Sequence, residues 1–146
     1  MKDKYIVYFM SRTRDKMLRF ITEKLQENGL GELIPSHGNI LTALYENHGR
    51  LTMKQIAKTT GKDKSTITPL VSKLVELGYI TKEKNETDKR STYIILTEKG
   101  RQMETTFRMI SGEVYTAAYH GFSAEEKEVF LRLLKKLNHN FSETNA

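Results

Sequence analysis

The basic side chains of this sequence are concentrated in its middle third, and they are the groups best suited to chemistry. Residues 50–100 contain eleven Lys or Arg and six Asp or Glu, a net charge of +5, whereas the whole chain carries +6. A solvated surface usually spreads its charge, so this concentration favours a polyanionic partner such as nucleic acid. An ordinary basic surface is the alternative interpretation.

Within this region, NETDKRS, residues 85–91, contains four charged residues and lies directly before an apolar run. Asp88 and Arg90 are two residues apart, a spacing at which a carboxylate can orient a guanidinium before it binds. The negative potential of a narrow DNA minor groove attracts an inserted Arg. An ordinary surface turn could contain the same Asp–Arg pair, so the neighbouring elements must decide. Three lysines of the same region could contact phosphate: Lys82, Lys84 and Lys89.

Two short helices are predicted just before this charged turn. In LTMKQIAKTTG, residues 51–61, Thr52 and Gln55 have capping-box spacing, and Gly61 favours a left-handed helix end. The next segment, residues 62–78, has Asp63 or Ser65 as its cap and apolar residues at helical spacing up to Gly78. Two helices joined by a Gly-containing turn form a helix-turn-helix, although any small pair of packed helices would show the same pattern.

The polar face of the second of these helices supplies the candidates for base and phosphate contacts. Ser and Thr hydroxyls read bases permissively, and the free N–H groups of a helix start favour phosphate. For the Ser and Thr residues, simple capping is the alternative role. The candidates are Lys64, Ser65, Thr66 and Thr68 in the first turns and Lys73 farther along. For three more lysines, Lys54, Lys58 and Lys62, phosphate contact and plain solvation are equally favoured.

The remaining elements complete a mainly α fold with a small β-hairpin. Segments 79–84 and 90–96 read as two strands joined by NETDK. A first helix is expected over residues 4–27, and a second helix opens at Pro35 with Ser36 as its cap. A long helix is predicted from Glu98 to Tyr119, and a Ser123–Glu126 capping box begins the last one. A helix-turn-helix followed by a hairpin is the order of a winged helix-turn-helix, in which the hairpin is the wing.

Several classes of function find no support in the sequence. The chain has no cysteine, which excludes disulfides, thiolate metal sites and thiol catalysis. We find no nucleotide-binding or hydrolase motif, and the four histidines lack metal-ligand spacing, so we expect neither an enzyme nor a metal or other cofactor. The N-terminal apolar run is too short for a signal peptide or a membrane span, so we expect a cytoplasmic protein without a membrane partner.

The motifs together resemble the MarR family of bacterial transcription regulators. Asp88-Lys89-Arg90-Ser91 followed by Leu96-Thr97-Glu98-Lys99-Gly100 looks like the wing signature of that family. Residues 63–80 resemble its recognition helix with the exit into the wing, residues 51–61 resemble the helix before it, and residues 34–44 resemble the preceding segment. The order of helices matches across essentially the whole chain.

The resemblance implies a homodimer that binds double-stranded DNA. Residues 1–34 and 101–146 would form the dimerisation helices, and residues 35–100 the winged helix-turn-helix domain. Each recognition helix would enter a major groove and each wing a minor groove, with Arg90 at the minor groove and Asp88 orienting it. Many members respond to small aromatic or phenolic effectors, but no residue here identifies an effector site.

One residue departs from the general pattern. Pro69 lies inside the predicted recognition helix, where it should bend or tighten the first turns. A Thr-Pro at this place resembles the branch of the family that senses organic peroxides through a cysteine, and this chain has no cysteine.

From the motifs and the resemblance together we expect a sequence-specific regulator, a repressor, that binds a palindromic operator. The alternative is a non-specific architectural DNA-binding protein or a protein-interaction dimer.

Overall fold

A computed structural model describes residues 5–142 of the chain. Seven helices and three strands occur in this part. In chain order they are α1 (Ile6–Glu27), α2 (Pro35–Tyr45), β1 (Arg50–Thr52), α3 (Met53–Thr60), α4 (Lys64–Glu76), β2 (Ile80–Lys84), β3 (Thr92–Leu96), α5 (Glu98–Gln102), α6 (Glu104–Ala118) and α7 (Ala124–Asn140). None of the helices in the described range is both long enough and apolar enough to cross a membrane.

The chain separates into two compact units, Met1–Ser111 and Gly112–Ala146, with the boundary inside α6. The first unit contains α1 to α5 and all three strands. The second contains the end of α6 and the whole of α7, on which no described side chain is buried. The predicted division at residues 34 and 100 separates dimerisation from DNA binding, and it stays a prediction.

The wing is a three-stranded antiparallel sheet in the order β1-β3-β2. The two predicted strands are confirmed, and they pair from Ile80 opposite Leu96 to Lys84 opposite Thr92. The prediction missed β1, which pairs with the other side of β3 through Leu51 opposite Ile94. Only three residues long, β1 is too short to show an alternating pattern. Because of β1, the central strand β3 has a paired strand on both sides, and the sheet is connected directly to α3.

The core of the first unit lies between α2, α3, α4 and the sheet. Fully buried side chains come from each of these elements: Ile40, Leu41, Leu44, Ile56, Ile67, Val71, Leu74, Ile80 and Ile94. An isolated hairpin is only marginally stable in water, and burial of Ile94 on its central strand provides the missing apolar contact. The apolar strand therefore anchors the charged turn to the helical core.

The start of α2 differs from the prediction. Ser36 is not the cap, because the helix begins with Pro35 in its first turn after Ile34. The side chain of His37 takes the capping role: its Nδ1 accepts a hydrogen bond of 2.9 Å from the backbone N–H of Ile34. His37 is buried, and burial followed by the charge of Lys73 lowers its pKa. A neutral imidazole is the form that accepts this bond, so the environment favours the capping tautomer.

The helix predicted from Glu98 to Tyr119 is divided at Met103 into α5 and α6. The carbonyl of Gly100 accepts a 2.7 Å hydrogen bond from the Tyr45 hydroxyl and a 3.3 Å bond from the N–H of Met103. The second bond spans three residues instead of four and tightens the turn. A tertiary contact from α2 therefore accompanies the break, and the local sequence contains no sign of it.

Candidate nucleic-acid interface

The N-terminus of α4 is fixed by Asp63, one of the two predicted caps. Its Oδ1 accepts hydrogen bonds of 2.8 Å from the N–H of Thr66 and from the hydroxyl of Ser65. These hydrogen bonds lower the pKa of Asp63, and the bond from Thr66 has the largest effect. The carboxylate neutralises part of the positive helix end, and the cap orients the exposed side chains of the first turn.

The solvent side of α4 holds the side chains predicted to contact DNA. Its opposite side, through Ile67, Val71 and Leu74, is buried in the core. The exposed side chains are Lys64, Ser65, Thr66, Thr68, Pro69, Ser72, Lys73, Val75 and Glu76. Pro69 does not end the helix, which continues through it to Glu76. Because Pro lacks an N–H, the carbonyl of Ser65 loses its intrahelical donor at this point.

The tip of the wing is ordered by hydrogen bonds from two side chains. Asn85 Oδ1 accepts from the N–H groups of Thr87 at 3.0 Å and Asp88 at 3.3 Å, and from the Thr87 hydroxyl at 2.8 Å. Asp88 Oδ1 in turn accepts a 3.0 Å bond from the N–H of Arg90, and Arg90 Nε lies 3.5 Å from it. The Arg90 side chain is 95% exposed. The guanidinium therefore projects into solvent from a defined turn.

A groove of about 680 Å³ lies between the start of α4, the start of α3 and the wing. We call it the wing groove. Its lining contains four cationic side chains, Lys54, Lys64, Lys82 and Arg90, against the single carboxylate of Asp88. The other lining residues are Thr52, Met53, Ala57, Thr68, Ser91 and Thr92. An excess of positive charge in a concave surface concentrates field lines and attracts anions such as phosphate.

The wing groove brings together five of the ten predicted contact residues: Lys64, Thr68, Lys82, Asp88 and Arg90. The other five, Ser65, Thr66, Lys73, Lys84 and Lys89, are exposed but do not line it. Lys73 lies 3.8 Å from Glu76. At about 100° per residue, Lys64 and Thr68 share a side of α4 that Lys73 does not.

Sequence reasoning gave too little weight to the start of α3. Thr52 and Gln55 form the predicted capping box, with bonds of 3.1 Å and 2.8 Å. This cap places Lys54 on the wing groove, where its charge joins those of the wing. The capping box itself was the available signal, because it fixes which residues occupy the first turn of α3.

A second, smaller cavity of about 350 Å³ lies between α2 and α6. Its walls include the aromatic rings of Tyr45 and Phe107, whose centroids are 6.2 Å apart. Arg108 also lines it and is bonded to Glu104 at 2.9 Å. Burial raises the pKa of Tyr45, and its hydroxyl donates a hydrogen bond to the carbonyl of Gly100. The remaining lining residues are Thr42, Glu46 and Ser111.

Acidic and histidine side chains form no cluster able to hold a metal ion within residues 5–142. His37 is accounted for by its capping bond. His48 is a turn residue with a positive φ of 60° between α2 and β1.

Comparison with known proteins connects this geometry to a family. Residues 32–91 match the family model described as the MarR family. The DNA-bound structure of reduced AbfR is 22% identical with a TM-score of 0.78, and the match covers 96% of this chain and 94% of AbfR. A MarR protein from Peptoclostridium difficile is 24% identical with a TM-score of 0.83, covering 93% of this chain and 86% of that one.

A third structure, the organohalide-sensing transcriptional regulator RdhR with bound 2,4-dichlorophenol, is 22% identical with a TM-score of 0.85. That match covers 97% of this chain and 82% of the regulator. These likenesses establish a shared fold along nearly the full chain. The residues matched by the family model contain α2 to α4, β2 and the wing turn with Asp88 and Arg90. Residues 32–91 therefore match the MarR family model, and nearly the whole chain has the fold of the three structures named above.

Proposed function

We propose that this protein is a sequence-specific transcriptional repressor that binds a palindromic DNA operator as a homodimer and responds to a small aromatic or phenolic effector. The wing groove is the main observation in favour of DNA binding. Four cationic side chains and one carboxylate line it beside the exposed start of α4. A site of this charge and shape suits the phosphate backbone of a nucleic acid. Neutralisation of phosphates provides most of the affinity of a protein for such a backbone.

Each part of the winged helix-turn-helix has a distinct role in this proposal. The exposed first turns of α4 enter the major groove, with Ser65, Thr66 and Thr68 toward the bases. Arg90 enters the adjacent minor groove, where a narrow groove attracts its charge. The lysines hold the phosphates on either side: Lys64 and Lys73 on α4, Lys82 and Lys84 on β2, and Lys89 in the wing turn. The DNA-bound AbfR structure supports this use of the shared fold.

Exposed apolar side chains support the homodimer. On α1, Val7 is 76% exposed and Phe9 is 63% exposed. On α7, Phe130 is 46% exposed, Leu133 is 48% exposed, and Phe141 just beyond the helix is 84% exposed. Helices that leave so many large apolar side chains in water mark an association surface. Two copies related by a two-fold axis would bury the same surfaces reciprocally and present two recognition helices to a palindrome.

The cavity between α2 and α6 is the place we propose for the effector. Its volume of about 350 Å³ lies at the small end of the range for ligand pockets. The rings of Tyr45 and Phe107 offer stacking surfaces, and Arg108 offers a cation for a phenolate or carboxylate. The bound 2,4-dichlorophenol of RdhR is a ligand of this chemical class.

The test is fluorescence anisotropy with a labelled duplex from directly upstream of the protein's own gene, with a scrambled duplex as control, at two salt concentrations. We expect about a thousandfold preference for the native duplex and an affinity that falls as salt rises. Protection of two half-sites with centres roughly 34–36 Å apart, or a multiple of that, would show the palindromic arrangement. We do not propose an enzyme, because RdhR, which has the same fold, is a transcriptional regulator.

Other results would contradict the proposal in distinct ways. Equal, salt-sensitive binding to both duplexes, with no sequence recovered from a randomised pool, would favour an architectural protein. Absence of binding to any duplex at low salt would favour a protein-interaction dimer. Effector binding is measured separately, by the change in anisotropy of the bound duplex when 2,4-dichlorophenol or benzoate is added. Such an effector should release the DNA and raise the melting temperature of the free protein.

A further inference from the structure

Asn85 lies at the junction between β2 and the wing turn. It forms more hydrogen bonds than any other described residue in the turn. Its N–H donates to the carbonyl of Ser91 at 3.2 Å, which closes the base of the turn. Its Oδ1 accepts three bonds, from the N–H and hydroxyl of Thr87 and from the N–H of Asp88. Its Nδ2 lies 3.4 Å from the hydroxyl of Tyr93 on β3. One side chain therefore links both strands to the tip.

These bonds form a connected path that ends at the arginine. Asn85 holds the backbone of Asp88, and Asp88 then holds the backbone N–H of Arg90 at 3.0 Å, with Arg90 Nε at 3.5 Å. Tyr93, at the other end of this series of hydrogen bonds, is also held in place, because the guanidinium of Arg50 on β1 lies 3.9 Å from the centre of its ring. Asn85 is partly buried at this junction, whereas the turn residues beyond it are exposed.

From this geometry we propose that Asn85 is a positioning residue for Arg90: it fixes the Asp88 backbone so that the guanidinium points out of the wing before DNA arrives. The Arg90 side chain is 95% exposed, and its polar contacts in the described structure are to Asp88. A long exposed side chain loses rotamer freedom when it binds, and a preset direction reduces that loss. This inference rests on the proposed DNA-binding function.

The test uses a duplex selected from a randomised pool by the wild-type protein, flanked by A·T pairs in one version and G·C pairs in the other. The ratio of the two affinities reports minor-groove insertion, because A·T tracts narrow the groove and attract arginine. Arg90→Ala should bring this ratio of affinities close to one. Asn85→Ala should lower it as well and should weaken binding to the A·T version by roughly threefold to tenfold.

A double-mutant cycle separates positioning from a structural or independent role. If Asn85 acts through Arg90, then adding Asn85→Ala to Arg90→Ala should change affinity by less than about twofold. Asn85→Asp keeps the oxygen that accepts the three bonds and should restore the A·T to G·C ratio. Its extra negative charge weakens binding to both duplexes alike and so leaves the ratio unchanged. Glu86→Gln is the control in the same turn, and it should not lower the ratio.

Three outcomes overturn the inference. The first is an Asn85→Ala protein with wild-type affinity and ratio while Arg90→Ala is weakened. The second is full additivity in the double variant, which would show that Asn85 acts independently of Arg90. The third is a ratio that Asn85→Asp fails to restore. Failure of the proposed function would look different, since the wild-type protein would then select no duplex at all.

Discussion

Replacement of Arg90 by Ala tests the central feature of the proposed interface. The side chain is 95% exposed, so its removal takes away almost no packing, and folding stability should change by no more than about 0.5 kcal/mol. Its exposed pair with Asp88 contributes little to stability, roughly 0–1 kcal/mol, because solvent screens it. The effect should therefore fall on DNA binding, which we expect to weaken by about 1–3 kcal/mol, or roughly 5- to 150-fold in Kd.

The assay is anisotropy of the labelled operator duplex at fixed salt, with the oligomeric state checked by light scattering. Arg19→Ala is the matched control, because it removes an exposed arginine from α1, away from the wing groove. Arg90→Lys separates charge from shape, since it keeps the charge and loses the planar fork. The reasoning would be refuted by an Arg90→Ala protein that binds the operator within about twofold of wild type, or by an equal loss in the Arg19→Ala control.

Three further changes test the dimer, the α2 cap and the packing of α5. Leu133→Asp should dissociate the dimer in light scattering because it places an unpaired charge on the proposed interface, whereas Lys135→Asp should leave it dimeric. Burial lowers the pKa of His37, so between its unfolded and folded pKa values the folded protein binds fewer protons than the unfolded chain. Thermal stability should therefore fall as pH falls below about 6.5, and His37→Gln should lose that part of the pH dependence. A Cβ on Gly100 would lie 2.2 Å from the carbonyl oxygen of Tyr79, so Gly100→Ala should lower the free energy of unfolding by about 1–3 kcal/mol in urea titration.

Local signals predicted the parts of this fold that depend on local hydrogen bonds. Thr52 with Gln55 and Ser123 with Glu126 form the expected reciprocal caps, at 2.8–3.1 Å. Gly61 ends α3 with φ at 68°, as its type predicts. Such motifs satisfy neighbouring backbone groups, so three or four residues contain all the information required.

The missed features depend on residues distant in the chain. The break at Met103 accompanies a bond from Tyr45, 55 residues from Gly100. Strand β1 exists because Leu51 pairs with Ile94, and three residues alone show no period. At the candidate site, charge pattern alone could not separate Lys64, which lines the wing groove, from Lys73, which lies beside Glu76. The angular position on α4 and the location of the wing decide that difference.

The composition of the exposed face of α4 indicates where operator specificity must come from. Strong base discrimination in the major groove usually uses Arg or Lys at guanine and Asn or Gln at adenine, and of these the exposed side of α4 has only two lysines, Lys64 and Lys73. The hydroxyls of Ser65 and Thr68 already donate to Asp63 and to the carbonyl of Lys64. They are left with acceptor lone pairs and, for Thr68, a methyl group. Minor-groove shape, which we propose that Arg90 reads, should then supply a large share of the discrimination. Base changes under the wing should therefore weaken binding at least as much as changes under α4, and saturation mutagenesis of the selected duplex measures both.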